Sequence, residues 1–364
     1  MELSKSQSSA LEYITGYART YKREAEQTIS EVLHMSNISK HEYESAVLKL
    51  KSHAKIALHF HPDRPVSNGL NIADLLLEQG EYKSQFETFI SNGSVSAYPG
   101  GLRDNWEKKL FGGAYQEEGT TGRERPKYGA LNLMLHADGP APRFGSCYLL
   151  LSPSVSRRST YTYLDSNEDT KEKGTYAEFD LIMAALMKET FIRDSALGER
   201  NLTPSKLVHH LLHQLESPVA EIIGKEPNRN LNFYIEAQVH GSVSLREDAE
   251  ALVADPSFIG TAVGDTLEQL CEKYRIELYW HKGSVLQVKE VPADFRGPSM
   301  PSLAERVAHH NRIDAYRIGL AAADLKRDPA SWGDRGNYEE VLQELKLLWH
   351  VLVKYGKPAM KSSM

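Results

Sequence analysis

The segment Phe233-Tyr-Ile-Glu-Ala-Gln-Val-His-Gly241 alternates strictly between apolar and polar positions. Phe233, Ile235, Ala237 and Val239 share one face, and Tyr234, Glu236, Gln238 and His240 share the other. A period of two predicts a β-strand with one face in a core. A carboxylate, an amide and an imidazole in a row, ending at glycine, read as one wall of a polar cleft. An exposed strand of mixed polar residues is the plainer alternative. Elsewhere the period is helical. Residues 3–60 read as helix, with Ser39-Lys-His-Glu42 as a capping box. That box opens a run with Tyr43, Ala46, Val47, Leu50, Ala54, Ala57 and Leu58, which stops at Pro62. A short helix within 65–80 is expected to end at Gly80.

Residues 91–145 are dense in glycine and hold short apolar runs such as Ala130-Leu-Asn-Leu-Met-Leu135, which predicts short strands joined by shaped loops. Cys147–Leu151, Ser159–Leu164 and Ile276–Trp280 are strand candidates rich in β-branched or aromatic residues. Between 174 and 228 the pattern returns to helix, with Thr203-Pro204 as N-cap and first helical residue. Asp248–Ser257 reads as a short amphipathic helix supporting the Glu236 strand. Residues 300–355 are helical, with Val341, Leu345, Leu348, Leu352 and Tyr355 as the buried stripe. The expected organisation is a helical region over 1–80, a core over 81–300 with a helical insertion at 174–228, and a helical region over 301–364. The fold class is α+β.

Composition narrows the functions. The chain of 364 residues suffices for two compact domains, or for one with a large insertion. Lys and Arg number 43 against 49 Asp and Glu, a net charge of −6 without a long basic run, so no nucleic-acid partner is expected. The two cysteines, Cys147 and Cys271, allow neither a disulfide framework nor a CxxC zinc ribbon. There is no apolar signal core at the start and no run of 18 apolar residues, so no membrane partner is expected. The expected location is the cytosol. Secretion into a host cell without a cleaved signal would leave no trace of this kind.

Several constellations could carry chemistry. His59-Phe-His-Pro-Asp-Arg64 admits a metal site through His59, His61 and Asp63, a chaperone-like His-Pro-Asp turn, or a phosphate or ribose contact through His61 and Arg64. Pro99-Gly-Gly-Leu-Arg-Asp104 places Arg103 beside glycine-rich backbone suited to approaching a phosphate, although Arg103-Asp104 also reads as a local ion pair. Asp165 closes a strand, where cleft residues often sit. His209 and His213 are spaced one helical turn apart, but without a partner motif they read as solvated histidines.

Read together, the blocks His-Pro-Asp-Arg64, Phe-Ile-Ser-Asn-Gly93, Pro-Gly-Gly-Leu-Arg-Asp104, Phe111-Gly-Gly-Ala-Tyr115, Arg125-Pro-Lys-Tyr-Gly-Ala-Leu-Asn132, Pro142-Arg-Phe-Gly-Ser-Cys147, Tyr234-Ile-Glu-Ala-Gln-Val-His-Gly241, Leu252-Val-Ala-Asp-Pro-Ser-Phe258 and Phe295-Arg-Gly-Pro298 resemble the CteC-like ADP-ribosyltransferases. These are bacterial effectors that modify a threonine of host ubiquitin, long catalogued as a domain of unknown function. The resemblance runs from residue 50 to 310. It implies a PARP-like core of two small packed sheets around a cleft for NAD, mixing features of the Arg-Ser-Glu and His-Tyr-Glu classes, with an Asp and a Glu in catalysis.

Glu236 matches the glutamate, and Asp104 and Asp165 both offer the second carboxylate. His61, Arg64, Arg103, Gln238 and the Ser91-Asn92-Gly93 turn are expected to hold phosphate, ribose or nicotinamide; no metal is expected. Two departures stand out. The order Glu236-Ala-Gln238 reverses the Arg-Ser-Glu pattern, and Leu164 stands where the resemblance implies glycine. The function implied is mono-ADP-ribosyl transfer from NAD to a protein hydroxyl, with ubiquitin or another host protein as partner and the 174–228 insertion as its reader. Alternatives are a metal-dependent hydrolase built on His59, His61, Asp165 and His240, and a ubiquitin-binding module that has lost its activity.

Overall fold

A computed structural model describes residues 2–66, 69–89 and 97–359; Ser91, Asn92 and Gly93 lie outside them. Helices Lys5–Thr20, Lys22–Met35 and Lys40–His53 open the chain. The capping box at the third is real: Ser39 Oγ accepts from Glu42 N at 3.1 Å, and Glu42 Oε2 accepts from Ser39 N at 3.0 Å. The chain then turns to strand, where helix was expected. Ile56-Ala-Leu-His-Phe60 is β1, buried at every position. A strand covered on both faces shows no alternation, so its apolar run is indistinguishable by period from a helix. The segment 249–254 is misread for the same reason, being strand and not amphipathic helix.

Eight strands form one mixed sheet. After β1 come β2 (Lys127–Leu131), β3 (Cys147–Leu151), β4 (Ser159–Tyr163), β5 (Lys173–Thr175), β6 (Ile235–Val239), β7 (Ala249–Ala254) and β8 (Glu277–Trp280). Their order is β8-β7-β3-β1-β2-β6-β4-β5. Only β7 and β8 run parallel, joined by the helix Ala262–Tyr274; every other pair is antiparallel. Where two small sheets were expected, ladder bonds thus join all eight strands, yet the junction is slight. β1 and β2 pair only at Ile56–Leu131 and Ala57–Ala130, whereas β1 and β3 pair over four positions. Past that junction the two four-stranded halves part, and the gap is the cleft described below. Gly129 sits at the parting, where a Cβ would lie 2.6 Å from the Ala57 carbonyl oxygen.

The apolar faces of β1, β3, β4 and β6 meet the helices in one continuous core that includes Ile235, Ala237 and Val239. Burying Ile235 or Val239 contributes about 1.5–3 kcal/mol each. The insertion supplies helices Asp180–Arg193, Pro204–His213 and Val219–Ile223. Thr203 caps the second by accepting from Lys206 N. The first two helices carry buried Leu186, Met187, Leu207 and Leu211, so the insertion is packed into the core and does not stand off it. Helices Ala315–Arg327 and Tyr338–Tyr355 close the fold, the latter through Trp349, whose Nε1 donates to the Pro142 carbonyl at 2.9 Å. Val341, Leu345, Leu348 and Leu352 form its buried stripe, but Tyr355 is 39% exposed. The centre of the sheet draws on β1, which precedes residue 81. Among the described residues no helix is long and apolar enough to cross a membrane.

Candidate active site

The gap between β1 and β2 opens a cleft of about 180 Å³. Glu236 stands on its β6 wall, and Asp165, just past β4, faces the same space. Arg103 enters from the helix Leu102–Leu110, stacked over Trp106 at 4.6 Å and over Tyr128 at 5.2 Å. The structure therefore unites three of the expected residues, Glu236, Asp165 and Arg103.

Glu236 is only 5% exposed. Burial, reinforced by the nearby Asp165 carboxylate, pushes its pKa up to about 7, while Ser166, Gln238 and Arg103 pull the other way. Ser166 Oγ and Gln238 Nε2 both donate to Glu236 Oε1, the latter at 2.9 Å. Asp165 is held at both oxygens: Asn167 N donates to Oδ1 at 3.0 Å, and the Tyr234 hydroxyl donates to Oδ2 at 3.1 Å. Leu164 before it adopts φ +67, a conformation that glycine takes without cost, so the departure noted in the sequence sits at a left-handed turn.

Behind Glu236 runs a buried hydrogen-bond chain. The Tyr115 hydroxyl bonds His240 Nδ1; His240 Nε2 meets Thr160 Oγ1 at 3.1 Å; Thr160 Oγ1 donates to Gln238 Oε1 at 2.7 Å; Gln238 Nε2 reaches Glu236. Burial lowers His240 to about 3, so the ring is neutral, accepting at Nδ1 and donating at Nε2. Every donor then points toward the carboxylate. Gln238 and His240 are fully buried, so they position Glu236 and do not line the cleft as the alternation alone suggested.

Three further expected residues, Asp104, His61 and Arg64, lie outside the cleft lining. Asp104 points away from the cleft. Its Oδ1 accepts from Arg125 at 2.6 Å and from Gln116 at 2.8 Å, and its Oδ2 accepts from Gly100 N at 2.8 Å. Burial works to raise its pKa, but these donors outweigh it and hold the carboxyl below its ordinary value. Arg125 also binds buried Glu107 at 2.9 Å, and Glu107 accepts from the Tyr128 hydroxyl at 2.9 Å, so this cluster braces the helix that presents Arg103. His61 and Arg64 lie elsewhere too. With Asp63 they line a small separate cavity beneath the last two helices, where the His61 ring meets Trp349 edge-on.

His59 does reach the cleft, as a buried ring with its nitrogens set against Gly145 O and Ala141 N at 3.3 Å each. Burial lowers it to about 3. His240 and His61 thus stand apart from Asp165, and among the described residues no three His, Cys, Asp or Glu side chains are grouped to hold a metal.

The chain belongs to the DUF3626 family. The family is described as a protein of unknown function, and its model matches residues 55–355. No curated protein matches the chain. The DUF3626 match opens at β1 and closes with the last helix, so it spans the whole sheet and cleft but leaves out the three N-terminal helices.

Sequence reasoning missed Trp106, Tyr128, Arg143 and Phe144 as lining residues of the DUF3626 cleft. The signal was present: all four lie in or beside quoted blocks, between a glycine-rich turn and a strand. Lys127 also borders the cleft, but its ammonium is spent on the carbonyls of Arg123 and Gly241 at 2.9 and 3.0 Å, and burial lowers its pKa to about 8.

Proposed function

We propose that this DUF3626 protein is a mono-ADP-ribosyltransferase that moves ADP-ribose from NAD to a protein hydroxyl, with a ubiquitin threonine as the leading acceptor. The observation that carries the reading is Glu236: a buried carboxylate, braced from behind by a hydrogen-bond chain, beside a second carboxylate, Asp165, that lines the same cleft. The remaining lining suits NAD. Trp106, Tyr128 and Phe144 offer ring faces to flat heterocycles, and Arg103 and Arg143 offer guanidinium groups to a pyrophosphate. A core with two four-stranded halves parting at a narrow junction is also compatible with a transferase of this fold.

In the reaction, the bond between nicotinamide and ribose C1′ breaks with its electron pair leaving on nicotinamide, and positive charge builds on the ribose. Ionised Glu236, accepting a hydrogen bond from a ribose hydroxyl, stabilises that charge from a fixed position. The acceptor hydroxyl oxygen then bonds C1′, and its proton passes to Asp165 as general base. Ionised Glu236 is the working form, so activity rises with pH through about 7. The test is nicotinamide release from NAD by the full chain beside Glu236→Gln. Release by the parent that the variant loses supports the reading; equal release, or none from either, overturns it.

A further inference from the structure

A second, larger depression of about 1090 Å³ lies on the other side of the segment that leads into β6. That is just above the roughly 300–1,000 Å³ of small-ligand pockets, room for an extended stretch of chain. Its charge is unbalanced in a specific way. Each acid on its wall is already engaged: Glu189 by Tyr163 and Arg193, Glu199 by His136 at 2.8 Å and Asn228 at 3.0 Å, and Glu226 by Lys282. The hydrogen bond and charge of His136 hold Glu199 below its ordinary pKa, so that acid stays ionised and committed. Arg200, Lys225, Arg229 and Lys354, in contrast, line the groove with no ion pair among the described residues.

The wall that carries these cations is built rigidly. Buried Asp138 accepts from the backbone N–H groups of Asn228 and Arg229 at 2.9 Å each, and Asn230 binds back to Pro140 O at 3.2 Å. Arg229 is thereby held at φ +64, and Leu135 and Asn201 also line the groove in left-handed backbone at +55. Such conformations cost free energy and persist where the surroundings enforce them. The segment 231–233 separates the groove from the cleft and is tied to both. Leu231 O and Asn232 Oδ1 accept from Arg143, a cleft residue, at 3.4 and 3.3 Å, and Phe233, 44% exposed on the groove side, lies three residues before Glu236.

We propose that this groove docks an acidic, extended segment of the acceptor protein, which seats the acceptor's hydroxyl at Glu236. The acceptor role rests on the transferase reading; the binding of acidic chain does not. Charge complementarity selects the occupant, because every acid of the groove is occupied from within while Arg200, Lys225, Arg229 and Lys354 have no ion pair among the described residues.

The test is fluorescence anisotropy of a labelled glutamate–glycine dodecapeptide titrated with the full chain, beside Arg200→Glu/Arg229→Glu and Arg200→Lys/Arg229→Lys. The parent and the lysine variant are expected to bind, added salt to weaken binding, and the glutamate variant to bind about tenfold more weakly or worse. Glu236→Gln is expected to bind as the parent does, which separates failure of docking from failure of catalysis. Equal binding by parent and glutamate variant, no binding by the parent, or preference for single-stranded RNA over the peptide overturns the proposal. Matching melting temperatures of the variants exclude misfolding as the cause.

Discussion

Replacing Glu236 by glutamine is expected to stabilise the protein while abolishing its activity, and the stabilisation is expected to depend on pH. Glu236 is raised from an ordinary carboxyl value of 4.5 to about 7 by burial and by Asp165. Below pH 4.5 the side chain is protonated whether the chain is folded or not, and it contributes nothing. Between 4.5 and 7 the folded protein retains a proton that the unfolded chain has released, so stability falls as pH rises. Above 7 the cost is complete, about 3 kcal/mol at 1.36 kcal/mol per pH unit.

Glutamine carries none of this cost and keeps an oxygen for the Ser166 and Gln238 donors. For a chain of this length 3 kcal/mol corresponds to about 4 °C in melting temperature. The assay is differential scanning fluorimetry of parent and Glu236→Gln between pH 4.5 and 8. The quantity to follow is the gap between their melting temperatures, because any pH-independent gain or loss of hydrogen bonding cancels from its slope. A gap that widens by about 4 °C toward pH 8 supports the assignment of a buried, uphill carboxylate. Parallel curves refute it.

Asp165→Asn removes the negative charge beside Glu236, so the acid limb of nicotinamide release is expected to move to lower pH even as transfer to an acceptor falls; an unmoved limb removes Asp165 from the site. Thr160→Val cuts the chain that aims Gln238, with an expected loss of about tenfold in kcat for nicotinamide release, an unchanged KM for NAD, and recovery in Thr160→Ser. Loss without recovery in the serine variant means Thr160 acts through packing. Asp104→Asn breaks a buried pair with Arg125 and is expected to cost about 3 kcal/mol of stability in a denaturant titration, with near-parental turnover of the folded fraction. Lost turnover at unchanged stability returns Asp104 to catalysis.

Glu236 was legible because the two buried faces of β6 meet different surroundings: one enters the apolar core, the other a polar hydrogen-bond chain and the cleft, and the period of two records the difference. Asp165 was legible as a strand terminus. Period failed at β1 and β7, whose two faces are both covered, and there the chain gives only an apolar run. Asp104 and Asp165 could not be separated from sequence, since both stand beside plausible partners; the distinction lies in Arg125, 21 residues from Asp104, which turns that aspartate inward. His61 and His59 share a strand-like spacing, yet β1 ends between them, and the turn at Pro62 carries His61 under the final helix. The relay through Thr160 and Tyr115 is a product of register, Thr160 lying opposite Gln238 in the β4–β6 ladder, and register is not written in either segment alone.

The central claim is transfer of ADP-ribose, and intact-protein mass spectrometry of ubiquitin incubated with the chain and NAD tests it most directly. The account predicts a gain of one ADP-ribose with the parent at pH 8, none with Glu236→Gln, and fragment ions that place the group on a threonine. Unmodified ubiquitin together with released nicotinamide would keep the chemistry and replace the acceptor. Unmodified ubiquitin with NAD left intact would contradict the account.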